Sequence, residues 1–326
     1  MRSILKTLSI AALGLGMLSS ATLAAEMNLA FTPPLESHYG DGGKAFAAKM
    51  KELSSGTMTI NLTPAGALGG ERDVIEGMQI GTVDLAISST GPIGNFVPHI
   101  YALDFPFLFE GYDQAHAVLD GPIGQGLLEE FKAHELVGLA WGENGFRNVT
   151  NNTLAIKTPA DLKGLKLRTM ENKVHIAAFE AAGASPTPMS WTEVLTSLAQ
   201  GTIDGQENPI PVLTANKMWE IQKYVTLTQH VYSPAVVVMS KIKYDALTPE
   251  QQGWFVEAGK AAAAATRATV AENEKNGVAL LKENGMDVTE TVDKAAFAAA
   301  VQPAYEKFAK EMGVDDLIKQ IQGAQK

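Results

Sequence analysis

Cysteine is absent from the 326 residues. That excludes disulfide staples, thiolate metal sites and a lipid anchor on an N-terminal cysteine. Beyond the N-terminal segment, no stretch holds the ~18 unbroken apolar residues of a membrane helix, so stable membrane insertion is not expected. Metal-ligand spacing is missing as well. His38, His99, His116, His134, His175 and His230 include no i, i+4 pair. Gly40-Asp41-Gly42-Gly43 lacks the Lys-Ser/Thr of a phosphate loop, and Gly14-Leu15-Gly16 lies in the N-terminal segment. No nucleophile–base–acid set emerges, so neither a cofactor, a metal nor an enzymatic reaction is expected. Positive charge is scarce. Lys and Arg number 26 against 36 Asp and Glu, a net charge of −10. A chain this acidic does not read as a partner of nucleic acid or of an anionic membrane surface.

What is present begins with an export signal. Arg2 and Lys6 form a short positive region, Thr7 to Leu18 is apolar or small, and Ser19 to Ala25 offers small residues for cleavage near Ala24. The apolar run is shorter than a bilayer span. Residues 1–24 are therefore expected to be removed, and the mature chain to work outside the cytoplasm, in a periplasm where one exists. Loss of Arg2 and Lys6 takes the net charge from −10 to about −12. The remaining chain of about 300 residues can bury a core without staples and suits two lobes.

The pattern after the signal alternates strands and helices. Met27 to Phe31 reads as a strand, and Ser37 as the N-cap of a helix whose buried face carries Tyr39, Gly43, Phe46, Met50 and Leu53. Met58, Ile60 and Leu62 alternate with polar residues as in a strand. A helix with Val74, Ile75 and Met78 stops at Gly81, and Val83 to Ile87 is a short strand. This β-α-β-α-β order implies a parallel sheet covered by helices. The plan returns in the middle: a strand at Leu165–Arg168, a helix at Asn172–Ala182, an extended piece at Ser185–Met189, a helix at Trp191–Gln200, then Ile203–Asp204. At an offset of 120, Gly81-Thr82-Val83-Asp84 matches Gly201-Thr202-Ile203-Asp204, and the helices before them match too. Two similar α/β lobes follow. Leu136–Trp141 and Phe146–Thr150, two strands around a Gly142–Gly145 turn, are candidates for the crossing between lobes, with Val231 and Ala235–Met239 as the return. Thr248 and Gln251 form a capping box with Pro249 at the first helical position. The helix then runs to about Asn284, roughly 54 Å, long enough to brace both lobes unless Gly253, Gly259 or Gly277 divides it. The block from Asp104 to Phe109 reads as core.

Ligands of open α/β sheets bind beyond the carboxyl ends of strands. Arg168 stands there, before a helix start that also favours an anion. Arg147 lies in the crossing strand, and Asn208 follows the Ile203 strand. An Arg fork holds both oxygens of a carboxylate, and an Asn amide can donate to one. The competing reading pairs both arginines with local acids such as Glu143 or Glu171. His38 and Tyr39 open the first helix and face the same cleft, unless Tyr39 is core. Trp191 is either a wall against the solute or core of the second lobe.

These residues resemble one family. Leu68-Gly69-Gly70-Glu71-Arg72-Asp73-Val74-Ile75-Glu76-Gly77, Gly81 to Asp84, Asp104 to Phe109, Gly145-Phe146-Arg147, Asp161 to Arg168 and Gly201 to Pro209 are similar to the solute-binding proteins of tripartite ATP-independent periplasmic (TRAP) transporters, dicarboxylate-binding branch. The resemblance spans the mature chain. It implies a periplasmic-binding-protein-like α/β fold: two lobes, a hinge and a long bracing C-terminal helix. Lobe I would take 25–145 and about 234–273, and lobe II 146–233 and about 274–326. It implies capture of a small organic acid anion, a C4-dicarboxylate or a sugar acid, by a monomer that delivers it to TRAP membrane subunits. Arg168 would make the main carboxylate salt bridge, with Arg147 and Asn208 as further contacts, and Trp191, Glu71 and His38 lining the site. Many relatives carry Phe where Trp191 stands. An enzyme acting on organic acids, a sensory module and the binding protein of an ATP-driven importer are the competing functions.

Overall fold

Strand alternation and helix stops set the first unit. The computed structural model describes residues 25–325, so the expected signal segment 1–24 lies outside the described residues. β1 (Ala25–Ala30), α1 (His38–Leu53), β2 (Met58–Thr63), α2 (Glu71–Gln79) and β3 (Leu85–Ser89) follow in order. Ser37 caps α1, its Oγ accepting the Gly40 N–H at 3.2 Å. α2 ends where Gly81 turns left-handed at φ +78°, a conformation that favours glycine. β1 lies between β2 and β3 and is parallel to both.

Three helices, α3 (Thr90–Ile93), α4 (Tyr112–Asp120) and α5 (Pro122–Glu130), lead into β4 (Leu136–Asn151). The second unit then repeats the first: β5 (Lys166–Thr169), α6 (Lys173–Ala181), β6 (Ser185–Pro188), α7 (Trp191–Ala199) and β7 (Gly205–Pro209). β5 is central and parallel to β6 and β7. α7 and β7 lie 120 residues after α2 and β3 at both ends. The shared Gly-Thr-apolar-Asp step has a physical reason. Asp84 Oδ2 accepts the N–H of Asn28 at 2.9 Å and Asp204 Oδ2 accepts that of Lys166 at 2.9 Å, so each carboxylate tethers the central strand of its unit. For the same reason the expected strand at Ile203–Asp204 is displaced. Asp204 serves as a tether in the turn, its own N–H donating to the Lys166 carbonyl at 2.8 Å, and the strand begins at Gly205.

The crossing also differs from expectation. Leu136–Trp141 and Phe146–Thr150 form one strand, β4, antiparallel to the equally long β8 (Tyr224–Ser240), which follows α8 (Ile210–Ala215). The glycines do not make a turn. Register shifts between Gly138 and Ala140, Glu143 and Gly145, and Arg147 and Val149 take up the irregularity, with Gly145 at φ +114°. One nine-stranded sheet results among the described residues, ordered β2-β1-β3-β8-β4-β7-β5-β6, with β9 (Asp287–Thr289) added beside β8. β4 and β8 therefore belong to both lobes.

After α9 (Lys241–Asp245), α10 (Pro249–Glu283) runs 35 residues without a break, about 52 Å. The capping box is formed: Thr248 Oγ1 accepts the Gln251 N–H at 3.3 Å and Gln251 Oε1 accepts the Thr248 N–H at 2.9 Å. Phe255, Ala258 and Ala262 pack into the core of the first lobe with Phe46 and Leu85, and Leu281 into that of the second with Val194 and Leu198. Gly259 is a close-approach point rather than a break, since a Cβ there would meet Leu139 Cβ at 2.9 Å. α11 (Lys294–Glu311) packs on α6. α12 (Asp315–Ala324) departs from the expected lobe II boundary. Ile318 and Ile321, with Val314 and Ala309 before them, share a core with Ile100, Phe105 and Phe131 of the first lobe. The C-terminus thus crosses back.

Two glycines of α10 should respond in opposite directions. Gly259→Val overpacks the contact with Leu139 and should destabilise the fold by about 1–3 kcal/mol. Gly253→Ala sits in open space and should stabilise it by about 0.5–1 kcal/mol. Urea unfolding of both variants checks this, and an unperturbed Gly259→Val would contradict the packing described.

Candidate functional site

β5 places Arg168 in the wall of a cleft between the lobes, and the side chain is 2 % exposed. Its Nε and Nη2 both donate to the Met189 carbonyl, at 2.9 and 2.6 Å. Nη1 has no hydrogen-bond partner among the described residues. The guanidinium carbon stands 5.8 Å from the Trp191 ring centroid, within cation–π range. Burial lowers the Arg168 pKa to about 10, opposed by the carboxylates of Glu207, Glu71 and Glu171. The group remains a cation at neutral pH, held without an acid of its own.

The cleft holds about 330 Å³ of space, part of it open to solvent. Arg168, Asn208 and Trp191 reach it from the second lobe, and Glu71, Ser89 and Tyr39 from the first. Trp191 and Glu71 are the first residues of α7 and α2, equivalent positions of the repeat. Glu71 Oε1 accepts three hydrogen bonds, from Ser88 Oγ (3.0 Å), Ser89 N (2.7 Å) and Ser89 Oγ (2.9 Å). Asn208 is the penultimate residue of β7, its Nδ2 donating to Gln206 Oε1 at 2.6 Å. The lobes touch nearby. Asn95 Nδ2 donates to the Glu171 carbonyl at 2.6 Å, and Asn172 Nδ2 to Asp104 Oδ2 at 2.8 Å.

Two expected site residues stand behind this surface rather than on it. Arg147 is fully buried and forked onto Glu207: Nε contacts Oε2, and Nη2 donates to Oε1 at 2.8 Å and to the Glu207 carbonyl at 2.6 Å. Neither Glu143 nor Glu171, the acids the sequence offered, is that partner. Arg147 Nη1 is buried without a partner among the described residues. His230 adds a contact of 3.1 Å to Glu207 and is itself bonded to Thr228 Oγ1 at 2.8 Å. Burial pushes the Glu207 carboxyl up, but the Arg147 charge and the hydrogen bonds from His230 and Arg147 outweigh it and hold the group well below the usual range. His38 is buried against Tyr39, with Nε2 3.0 Å from Asn144 Oδ1. Burial lowers its pKa to about 4, so the imidazole is neutral at pH 7. It supports Asn144, which does line the cleft.

Glu207, Asn144, Ser89 and Met170 were not among the residues expected from the sequence. Glu207 had a readable signal: a carboxylate inside a buried strand needs a cation, and a strand already carrying Arg147 was at hand. The others come from cross-lobe packing.

A family description, DctP, bacterial extracellular solute-binding protein, family 7, matches residues 30–311. The chain belongs to this family. It is therefore a solute-binding protein of the TRAP type. It is 46% identical to a solute-binding protein of Verminephrobacter eiseniae over 94% of this chain and 91% of that one. It is 37% identical to the 2,3-diketo-L-gulonate-binding periplasmic protein of Escherichia coli over 100% and 99%. A TRAP periplasmic solute-binding protein of Polaromonas sp. JS666, bound to D-erythronate, superposes with a TM-score of 0.89 at 47% identity, covering 91% of this chain and 98% of that one.

The Arg147–Glu207 pair yields a stability test. Glu207→Gln leaves a buried guanidinium uncompensated and should cost about 3–5 kcal/mol at pH 7. The folded pKa of Glu207 is depressed, so its contribution is present above the unfolded value and lost as pH falls through the folded one. The difference between wild type and Glu207→Gln should thus shrink below about pH 4.5. Urea unfolding at pH 7 and pH 4 checks both parts, and a difference that grows on acidification would contradict the assignment.

Proposed function

We propose that this protein captures a small organic carboxylate, a C4-dicarboxylate or a sugar acid, and hands it to TRAP membrane subunits without changing it chemically. The supporting observation is Arg168: a buried cation whose Nη1 has no partner among the described residues and whose bonded partner is a neutral carbonyl. A solute carboxylate supplies the missing counter-charge, with Asn208 beside it and Trp191 as a wall. Arg147, neutralised by Glu207, holds the β4–β7 pair that carries Asn208, with Nη1 remaining as a further donor.

The protein works as a monomer in the periplasm after removal of residues 1–24. The hinge lies in β4 and β8, near residues 145–146 and 233–234, where a register shift between Glu143 and Gly145 interrupts their pairing. Closure buries the carboxylate and removes water. Each charge-assisted hydrogen bond contributes roughly 1.5–3 kcal/mol, so two or three account for much of the about −8 kcal/mol of a micromolar complex.

A thermal-shift panel of organic acids selects the solute, because binding stabilises the fold by mass action. Calorimetry with that solute should show Arg168→Ala and Arg168→Lys weakened by roughly 2–3 kcal/mol or more. Lys282→Ala, on the exposed face of α10, should match wild type. Unchanged affinity in the Arg168 variants would contradict the reading.

A further inference from the structure

We propose that Gly70 is a positioning residue for solute capture: because it carries no side chain, the second lobe can seat on the first and the cleft can close. This rests on the reading of capture by closure above, and adds to it a residue that does not line the cleft.

The repeat supplies the first observation. Gly70 is the N-cap of α2 and Ser190 that of α7, 120 residues apart and so equivalent in the two lobes. The two caps meet across the seam between the lobes. A Cβ on Gly70 would stand 2.2 Å from Ser190 Oγ and 3.3 Å from Ser190 Cβ, inside the optimal separation of non-bonded atoms. Serine is a favoured N-cap because its oxygen accepts an N–H of the first turn. Ser190 Oγ makes no such bond. It pairs with Thr192 Oγ1 at 3.0 Å, and Thr192 Cγ2 would meet a Cβ on Gly66, in the same loop as Gly70, at 2.6 Å. Neither helix takes the cap hydrogen bond that suits it locally. Such breaches of local preference mark places where function sets the demand.

Conformation does not explain the glycine. Its φ of −73° and ψ of 172° suit any residue. Nor is its backbone free to recoil: the Gly70 N–H donates to Asp73 Oδ2 at 2.8 Å, and its carbonyl accepts the Val74 N–H at 3.0 Å. What requires glycine is the space taken by the other lobe. Gly91 of α3 repeats the pattern. A Cβ there would stand 2.4 Å from Met170 Cε, and Asn172 Nδ2 donates to the Gly91 carbonyl at 3.2 Å.

These contacts border the solute without touching it. Glu71 and Trp191, which follow the two caps, line the cleft, whereas Gly70 and Ser190 do not. Overpacking a close contact is costly. Here the cost falls on the closed arrangement alone, because the two caps belong to different lobes. A side chain on Gly70 therefore leaves encounter with the open cleft unchanged and quickens release.

The test uses the mature chain and four acids: D-erythronate, D-galactonate, D-glucuronate and succinate. The one that binds wild type tightest by calorimetry at pH 7.5 is the probe. Gly70→Ala should bind it about tenfold more weakly. Gly70→Val should bind it about 30-fold more weakly or worse, since its methyls are not avoided by turning the Ser190 hydroxyl. Stopped-flow tryptophan fluorescence should place the loss in the dissociation rate. Gly70→Ala with Ser190→Gly should return to within about threefold of Ser190→Gly alone, because a defect of the α2 cap or of the first lobe would not respond to a change in the second. Wild-type affinity in Gly70→Val overturns the inference. So does a loss in Gly70→Ala that Ser190→Gly leaves unrelieved, and so does failure of Gly70→Ala to fold, which would place the demand for glycine inside the first lobe. Arg168→Ala separates the two levels. If it keeps wild-type affinity, or if none of the four acids binds wild type, the carboxylate reading fails. If it loses binding while Gly70→Val does not, only the role of Gly70 fails.

Discussion

A guanidinium that is almost fully desolvated and has no carboxylate of its own is the constraint around which this protein is arranged. Arg168 is 2 % exposed and, among the described residues, bonds only to the Met189 carbonyl. Removing a cation from water is costly unless an anion compensates it. The chain carries ten more negative than positive charges, yet none of its acids closes on this group. Glu207, the nearest in effect, is committed to Arg147 and His230. The two arginines look alike in the sequence and have opposite fates: one is neutralised inside the sheet, the other remains available at the cleft. Long-range charge does not decide binding here, because charges beyond about 8–10 Å are screened.

The scaffold makes that position possible. Each lobe is built on the same 2-1-3 strand order, tethered by an aspartate whose carboxylate caps the neighbouring central strand. Both units direct the carboxyl ends of their parallel strands and the starts of α2 and α7 at the space between them. Glu71 and Trp191 occupy equivalent places in the repeat but differ in chemistry, so the duplicated architecture yields an asymmetric site. β4 and β8 pass through both lobes, while α10 packs into the cores of both. Connections of this kind confine motion to bending of the shared strands.

Much of this was legible in the sequence because the signals are local. Helix starts and stops, the Ser37 cap, the Thr248–Gln251 box and the repeat at offset 120 depend on neighbours within a few residues. Arg168 was found as a candidate because it closes a strand, Trp191 because it opens a helix, Asn208 because it follows a strand and Glu71 through the family resemblance, and the structure gathers all four around one cleft. What failed depends on pairing between distant segments. Two expected strands proved to be one, since whether Gly142–Gly145 turns or bulges is decided by β8 on the other side. The partner of Arg147 was missed because Glu207 lies 60 residues away and meets it only through the β4–β7 register. The return of α12 to the first lobe carried no local mark.

The most direct measurement of the central claim is a crystal structure of the mature protein with its selected organic acid bound. The account predicts a carboxylate of the solute within about 3 Å of Arg168 Nη1, enclosed by both lobes. A solute carboxylate held elsewhere in the cleft, with Arg168 still bonded to Met189 alone, would contradict it.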